Sequence, residues 1–178
     1  MATRRYGGRM STRAHVVTVS DRCSRGEAAD RSGPILVEGL RAAGFTVTHT
    51  LVPDGVTAVR DALADALAGG ARVVLTTGGT GVTPRDLTPE GTRELLVAEL
   101  PGVAEAIRRR GAEHVPTAVL SRGLAGIAVA PPVSLPAGAP QRAVVVNLPG
   151  STGGVRDGLD VLLPLLPHLV AQLDGSDH

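Results

Sequence analysis

Apolar positions along this chain follow two rhythms. AHVVTVSD (Ala14 to Asp21), ARVVLTTGG (Ala71 to Gly79) and RAVVVNLPGS (Arg142 to Ser151) are short β-branched runs that pass straight into polar or glycine-bearing sequence. Such runs suit parallel strands buried on both faces, whereas a half-exposed strand alternates. Phe45 to Val52 does alternate, and Pro53-Asp54-Gly55 turns the chain after it. Between these runs the apolar residues recur at helical spacing. SGPILVEGLRAAGF predicts a helix with Ser32 as N-cap, Pro34 in the first turn and Gly44 as terminator, and VTAVRDALADALAGG predicts one closed by Gly69 and Gly70. Thr88-Pro89-Glu90 opens another, with Thr88 as N-cap and Pro89 as the first helical residue. GVAEAIRRRG reads as a further helix, and VRDGLDVLLPLLPHLVAQL as a C-terminal one interrupted by Pro164 and Pro167. The stretch from Ile127 to Ala139, with Pro131, Pro132 and Pro136 and with Pro140 just beyond it, reads as a surface loop.

Strand, helix and strand joined by short connections predict an α/β fold with a doubly wound, mostly parallel sheet. Right-handed crossovers place the strand-to-helix loops of such a sheet on one edge, where ligands bind. Residues 14–174 are expected to form a single domain, with a disordered basic tail over 1–13 and a short tail over 175–178. Met10 is an alternative start to Met1.

Composition narrows the chemistry. Hydrophobic residues make up 43% of the 178, yet no apolar run approaches the roughly 20 residues of a membrane span, so no membrane association is expected. With only Tyr6 and Phe45 aromatic, the chain has no platform on which single-stranded nucleic acid could stack, and no nucleic-acid partner is expected. All 18 basic residues are arginines. The absence of lysine excludes a Walker-type phosphate loop, a Schiff base and a lysine general base. Cys23 stands alone and closes no internal disulfide, as a reducing cytoplasmic location permits, and the five histidines lack ligand spacing for zinc.

The polar strand ends are where chemistry is expected: SDRCSRG, PDG, TTGGTGVTPRD and NLPGST. Gly78, Gly79 and Gly81 let the backbone approach a ligand and offer successive N–H groups to phosphate oxygens, although glycines after a strand also serve as plain turns. Asp54 and Asp86, at neighbouring strand ends, are candidates to hold a magnesium ion against a nucleotide's phosphates. Asp54 has a competing explanation as a helix N-cap; Asp86 has none, since Thr88 and Pro89 already open the next helix. Ser20, Asp21 and Asp30 have capping or turn explanations, and Asn147-Leu148-Pro149-Gly150 reads as a pocket wall or a turn. Arg108, Arg109 and Arg110, at a helix C-terminus, read as solvated charge that offsets the macrodipole. Arg22 and Arg85 are placed to attract an anion.

Taken in order, SDRCSRGEAADRSGP, VPDG, TTGGTGVTPRDLTPE, LSRGLAGI and NLPGS resemble the molybdenum-cofactor biosynthesis family that includes bacterial molybdopterin adenylyltransferase and the gephyrin and plant G domains. The resemblance runs from about His15 to the C-terminal helix. It implies a three-layer α/β/α sandwich, commonly a homotrimer, that binds molybdopterin and Mg-ATP, joins AMP to the terminal phosphate of molybdopterin and releases pyrophosphate. A molybdenum-insertion protein is implied as a partner. Carried over by position, Asp54 and Asp86 are the catalytic and metal-positioning carboxylates, Gly78, Gly79, Thr80 and Gly81 the phosphate loop, and Ser20, Asp21, Ser121, Asn147, Pro149 and Gly150 other pocket residues. Two departures stand out: Ser151-Thr152 where the family has Ser-Pro, and a longer segment from Ala128 to Gln141. Relatives of this fold that hold the pterin without turning over ATP define the alternative, a non-catalytic binding or scaffold protein, and a generic nucleotide-binding α/β protein is a third reading.

Overall fold

The computed structural model describes residues 12–130 and 141–175. The expected tail before residue 12, the prolines of 131–140 and residues 176–178 lie outside these, as does the question of Met1 or Met10. Among the described residues one sheet runs through the molecule in the order β2-β1-β3-β6-β5-β4. Its strands are β1 (Arg13–Val19), β2 (Thr46–Val52), β3 (Val73–Thr77), β4 (Leu96–Glu99), β5 (Ala125–Val129) and β6 (Arg142–Leu148). The four strands β2, β1, β3 and β6 are parallel, and β5 runs antiparallel to both of its neighbours. The mostly parallel expectation therefore holds.

The apolar runs are continuous because both faces are covered. Neighbouring residues of a strand point to opposite faces, and the core divides accordingly. Val16, Leu75 and Val146 pack with α2 (Gly33–Ala42), α5 (Pro101–Ala112) and α6 (Thr152–Leu162), whereas Val17, Val74 and Val145 pack with α3 (Val56–Ala68). This is a three-layer α/β/α arrangement. The helices that follow β1 and β2 lie on opposite faces, so the order of connections reverses beside β1, the kind of place where doubly wound sheets open a crevice. Three shorter helices complete the order: α1 (Asp21–Ser24), α4 (Thr88–Arg93) and α7 (Leu166–Leu173); the break from α6 falls at Pro164 as expected, whereas Pro167, expected as a second interruption, sits in the first turn of α7, where a proline is tolerated. Gly44, at φ +91°, terminates α2 in the left-handed conformation that suits glycine.

Four expectations need correction. The loop drawn from Ile127 begins too early, because Ile127, Ala128 and Val129 belong to β5 and pair with β6, and the prolines that argued for a loop start only at Pro131. Strand β1 starts at Arg13, one residue inside the expected tail. Ser32 does not cap α2 through its side chain; Asp30 does, its Oδ1 accepting from Ser32 N at 3.1 Å and Gly33 N at 2.9 Å. Thr88 is already the first residue of α4, behind Leu87, and its hydroxyl is used elsewhere.

Candidate active site

Parallel β1, β2, β3 and β6 deliver the loops after Val19, Val52, Thr77 and Leu148 to one edge. Gly78 locks three of these strand ends together: its N–H donates to Leu148 O at 3.1 Å, its φ is +102°, and a Cβ there would stand 2.2 Å from Val19 O. Only glycine fits such a place. At Gly79, φ +62°, a Cβ would lie 2.4 Å from Thr88 Oγ1 and 3.3 Å from Asp54 Oδ1, and at Gly81 it would lie 2.8 Å from Asp86 Oδ2. The glycines thus bring the loop's backbone up against both carboxylates.

Along this loop the N–H groups of Gly79, Thr80, Gly81 and Val82 donate to no acceptor among the described residues. Unpaired backbone donors are uncommon, and a succession of them makes a concavity suited to an anion. The loop borders a cleft of about 740 Å³, within the range of small-molecule sites. The rest of its lining comes chiefly from Ile107, Arg108 and Gly111 of α5, the short 3-10 helix Pro116–Leu120, Pro149, Gly150 and the first turn of α6. Val82 (67% exposed), Val115 and Leu120 give the mouth an apolar lip.

The expected site residues divide into three groups. Gly78, Gly79, Thr80, Gly81, Asp86, Ser121, Pro149 and Gly150 line the cleft. Asp54, Asp21 and Ser20 are not among the cleft's lining residues, though Asp54 lies against Gly79. Asp54 is not an N-cap, since α3 begins after Gly55; instead it is interlocked with Asp21, Asp21 N donating to Asp54 Oδ2 at 2.9 Å and Asp54 N to Asp21 Oδ1 at 3.1 Å. Ser20 accepts from Cys23 N and caps α1, and Arg85 forms an ion pair with Asp21. Asn147 is apart from both: it is 3% exposed, its Oδ1 accepts from Leu124 N, and its Nδ2 donates to Thr76 and Thr92 hydroxyls, so its amide is spent inside the fold.

Two readings of charge change. Asp86 has a structural partner after all, Oδ2 accepting from Thr83 N at 2.9 Å and from Thr83 Oγ1 at 2.7 Å. Arg108 is not merely solvated: it lines the cleft and donates to Ser121 O and Gly123 O, while Arg109 and Arg110 do pair with surface acids. Its place one residue after Ile107 and four after Ala104, both on the buried face of α5, was readable as a helical stripe. No site role was expected for Ser151, which caps α6 through Gly154 N, or for the cleft residues His114, in the turn after α5, and Asp157 of α6, whose approach (3.6 Å) leaves no sequence signal.

The Asp54 carboxyl is pushed above the ordinary carboxylate range, first by burial and then by the charge of Asp86. Two acids that repel each other in a partly buried place favour a cation between them. One oxygen of each is already hydrogen-bonded, and Oδ1 of each accepts no hydrogen bond among the described residues. No cluster of three or more His, Cys, Asp or Glu that could hold a metal occurs among the described residues. A pair of carboxylate oxygens fits magnesium, which takes one or two carboxylates and fills its other positions with water and phosphate; it does not fit a structural zinc.

Because folding raises the Asp54 pKa, its ionised form costs stability: the penalty is absent below the ordinary carboxylate pKa and grows as pH rises through the raised one. Asp54→Asn is therefore expected to raise the metal-free melting temperature at pH 7 by about 2 °C and to lose that advantage in acid. An equal or lower melting temperature at pH 7 would show that the ionised Asp54 carboxylate, chiefly through its burial, costs the fold nothing.

The model of the family described as "Probable molybdopterin binding domain" matches residues 15–168. The chain belongs to this family. A "Molybdopterin adenylyltransferase" of Pyrococcus furiosus is 40% identical over 87% of each sequence. A "Molybdenum cofactor biosynthesis bifunctional protein" of Synechococcus elongatus is 39% identical over 93% of the chain, which spans only 48% of that protein's length. Among solved structures, the "Molybdopterin biosynthesis Mog protein" of Mycobacterium ulcerans superimposes with a TM-score of 0.82 at 41% identity, covering 94% of this chain and all (100%) of that one.

Proposed function

We propose that this chain is a molybdopterin adenylyltransferase that moves AMP from Mg-ATP to the terminal phosphate of molybdopterin. The observation that carries this is the run of four unpartnered N–H groups from Gly79 to Val82, set against Asp54 and Asp86 on the border of a cleft large enough for a second substrate. In this reading a terminal phosphate oxygen of molybdopterin attacks the α-phosphorus of ATP, a new P–O–P bond forms, and the bond to pyrophosphate breaks. The N–H groups hold phosphate oxygens where negative charge grows, a role that fixed backbone dipoles perform without reorganising. Asp54 and Asp86 would hold magnesium, which supplies charge neutralisation on the phosphates when bound. Arg108, Arg156 and the apolar lip offer an anion-attracting and partly dry wall to the pterin.

The relatives' names support the substrate pair, and the absence of lysine is no obstacle where backbone donors bind the phosphates. Incubation of the purified chain with molybdopterin, ATP and Mg²⁺ should yield, by mass spectrometry, a pterin carrying one AMP and one pyrophosphate per turnover. Retained pterin without adduct would contradict the proposal and favour a binding protein. The same proposal includes a homotrimer. Val97 (61% exposed) and Val119 (59%) lie outside the cleft and are surfaces another copy would cover. Light scattering should give three times the chain mass, and a strict monomer would remove that part.

A further inference from the structure

Why four consecutive N–H groups of the glycine loop stay unpaired is answered by their carbonyls. In a trans peptide the C=O of one residue and the N–H of the next point in opposite directions, and no peptide among the described residues is cis. Gly78 O accepts from Thr88 Oγ1 at 2.9 Å and Gly79 O from Thr88 N at 3.1 Å. Thr80 O accepts from Arg122 N at 2.8 Å and Gly81 O from Arg122 Nε at 2.7 Å. Two residues therefore hold four successive carbonyls, and each anchored carbonyl turns the following N–H, of Gly79, Thr80, Gly81 and Val82, the other way. Arg122 also donates to Asp86 O and pairs with Glu90, two residues beyond Thr88 on α4, which its hydrogen bond holds below the usual carboxylate range.

We propose that Thr88 and Arg122, with Glu90 bracing Arg122, are positioning residues that aim the N–H groups of Gly79, Thr80, Gly81 and Val82 at a phosphate group of the substrate. The proposal rests on the phosphate-binding part of the proposed function and not on which pterin or nucleotide carries the phosphate. Neither residue touches the reacting atoms. The side-chain anchors act at the two ends of the run: Thr88 Oγ1 governs the N–H of Gly79, and Arg122 Nε that of Val82.

The test uses the ¹⁵N-labelled full chain titrated with inorganic pyrophosphate, read by amide NMR. In the wild type the resonances of Gly79, Thr80, Gly81 and Val82 should move together. Arg122→Gln should weaken pyrophosphate by about fivefold to tenfold and chiefly abolish the response of Val82; Thr88→Val should weaken it to a similar degree and chiefly abolish that of Gly79. A merely structural role would lower the melting temperature without this division between the two ends. If Arg122→Gln does not fold, Glu90→Gln should give the Val82 pattern in weaker form. Wild-type affinity with an unchanged Val82 response in Arg122→Gln, or in Glu90→Gln where that variant stands in, would overturn the inference, as would wild-type loop amides that pyrophosphate leaves unmoved. Absence of AMP transfer together with a moving loop would instead count against the adenylyltransferase reading alone.

Discussion

Asp86→Asn should lower adenylyl transfer at saturating Mg-ATP by ~100-fold or more while molybdopterin remains bound. The substitution isolates charge from shape. Asp86 Oδ2 accepts two hydrogen bonds from Thr83, and an asparagine oxygen can accept both, so the loop keeps its fold and the melting temperature should barely move. What disappears is one of the two negative charges that face a cation. The same change removes the second cause of the raised Asp54 pKa and leaves the first, burial, in place. The Asp54 carboxyl should accordingly titrate lower than in the wild type and still above an ordinary aspartate, which ¹³C NMR of the side chain would report. Turnover within about threefold of wild type would remove Asp86 from the mechanism and return it to its hydrogen bonds with Thr83.

The largest loss of stability is expected from Gly78→Ala. Alanine there meets two separate objections: the backbone sits at φ +102°, and the new methyl group would stand 2.2 Å from Val19 O. Val19 is the end of β1, and the Gly78 N–H is tied to Leu148 O at the end of β6, so neither neighbour can retreat without parting strands of the sheet. A loss of about 3 kcal/mol or more is expected in urea denaturation, with much of the site lost alongside it. Gly26→Ala serves as the comparison, because Gly26 is also left-handed, at φ +73°, but has open space around it; its cost should be near 1 kcal/mol. Equal costs at the two positions would show that the crowding at the strand ends is not real.

How far the sequence disclosed this arrangement varies with the physics of each element. Strands β1, β3 and β6 were legible because all but the first residue of β1 and β6 and every residue of β3 are buried, and their middles are runs of apolar, mostly β-branched side chains. Strand β4, with three of its four residues exposed, carries no such pattern, and β5 is built from Ala125, Gly126 and Ala128 beside Ile127, small residues chosen for close packing rather than strand propensity. Cap chemistry pointed to helix α2 correctly but misassigned the cap itself, since Asp30 and Ser32 are both capable acceptors and only the turn geometry chooses between them. At the site, Asp54, Asp86 and the glycines stood out because each residue type is costly or restrictive where it sits. Arg122 did not. Its hydrogen bonds reach back 41 positions to Gly81 and 32 to Glu90, and nothing periodic in the chain records a contact of that span. Asp86 shows the opposite limit: its bond to Thr83 is only three residues long, yet the argument from the helix start left no room for it.

The central claim is spatial, that phosphate is held by the loop amides between two carboxylates. A crystal structure of the chain with Mg²⁺ and a non-hydrolysable ATP analogue tests it most directly. The account predicts phosphate oxygens on the N–H groups of Gly79 to Val82 and the ion between Asp54 Oδ1 and Asp86 Oδ1. An analogue bound with its phosphates elsewhere, and those four amides facing only water, would contradict it.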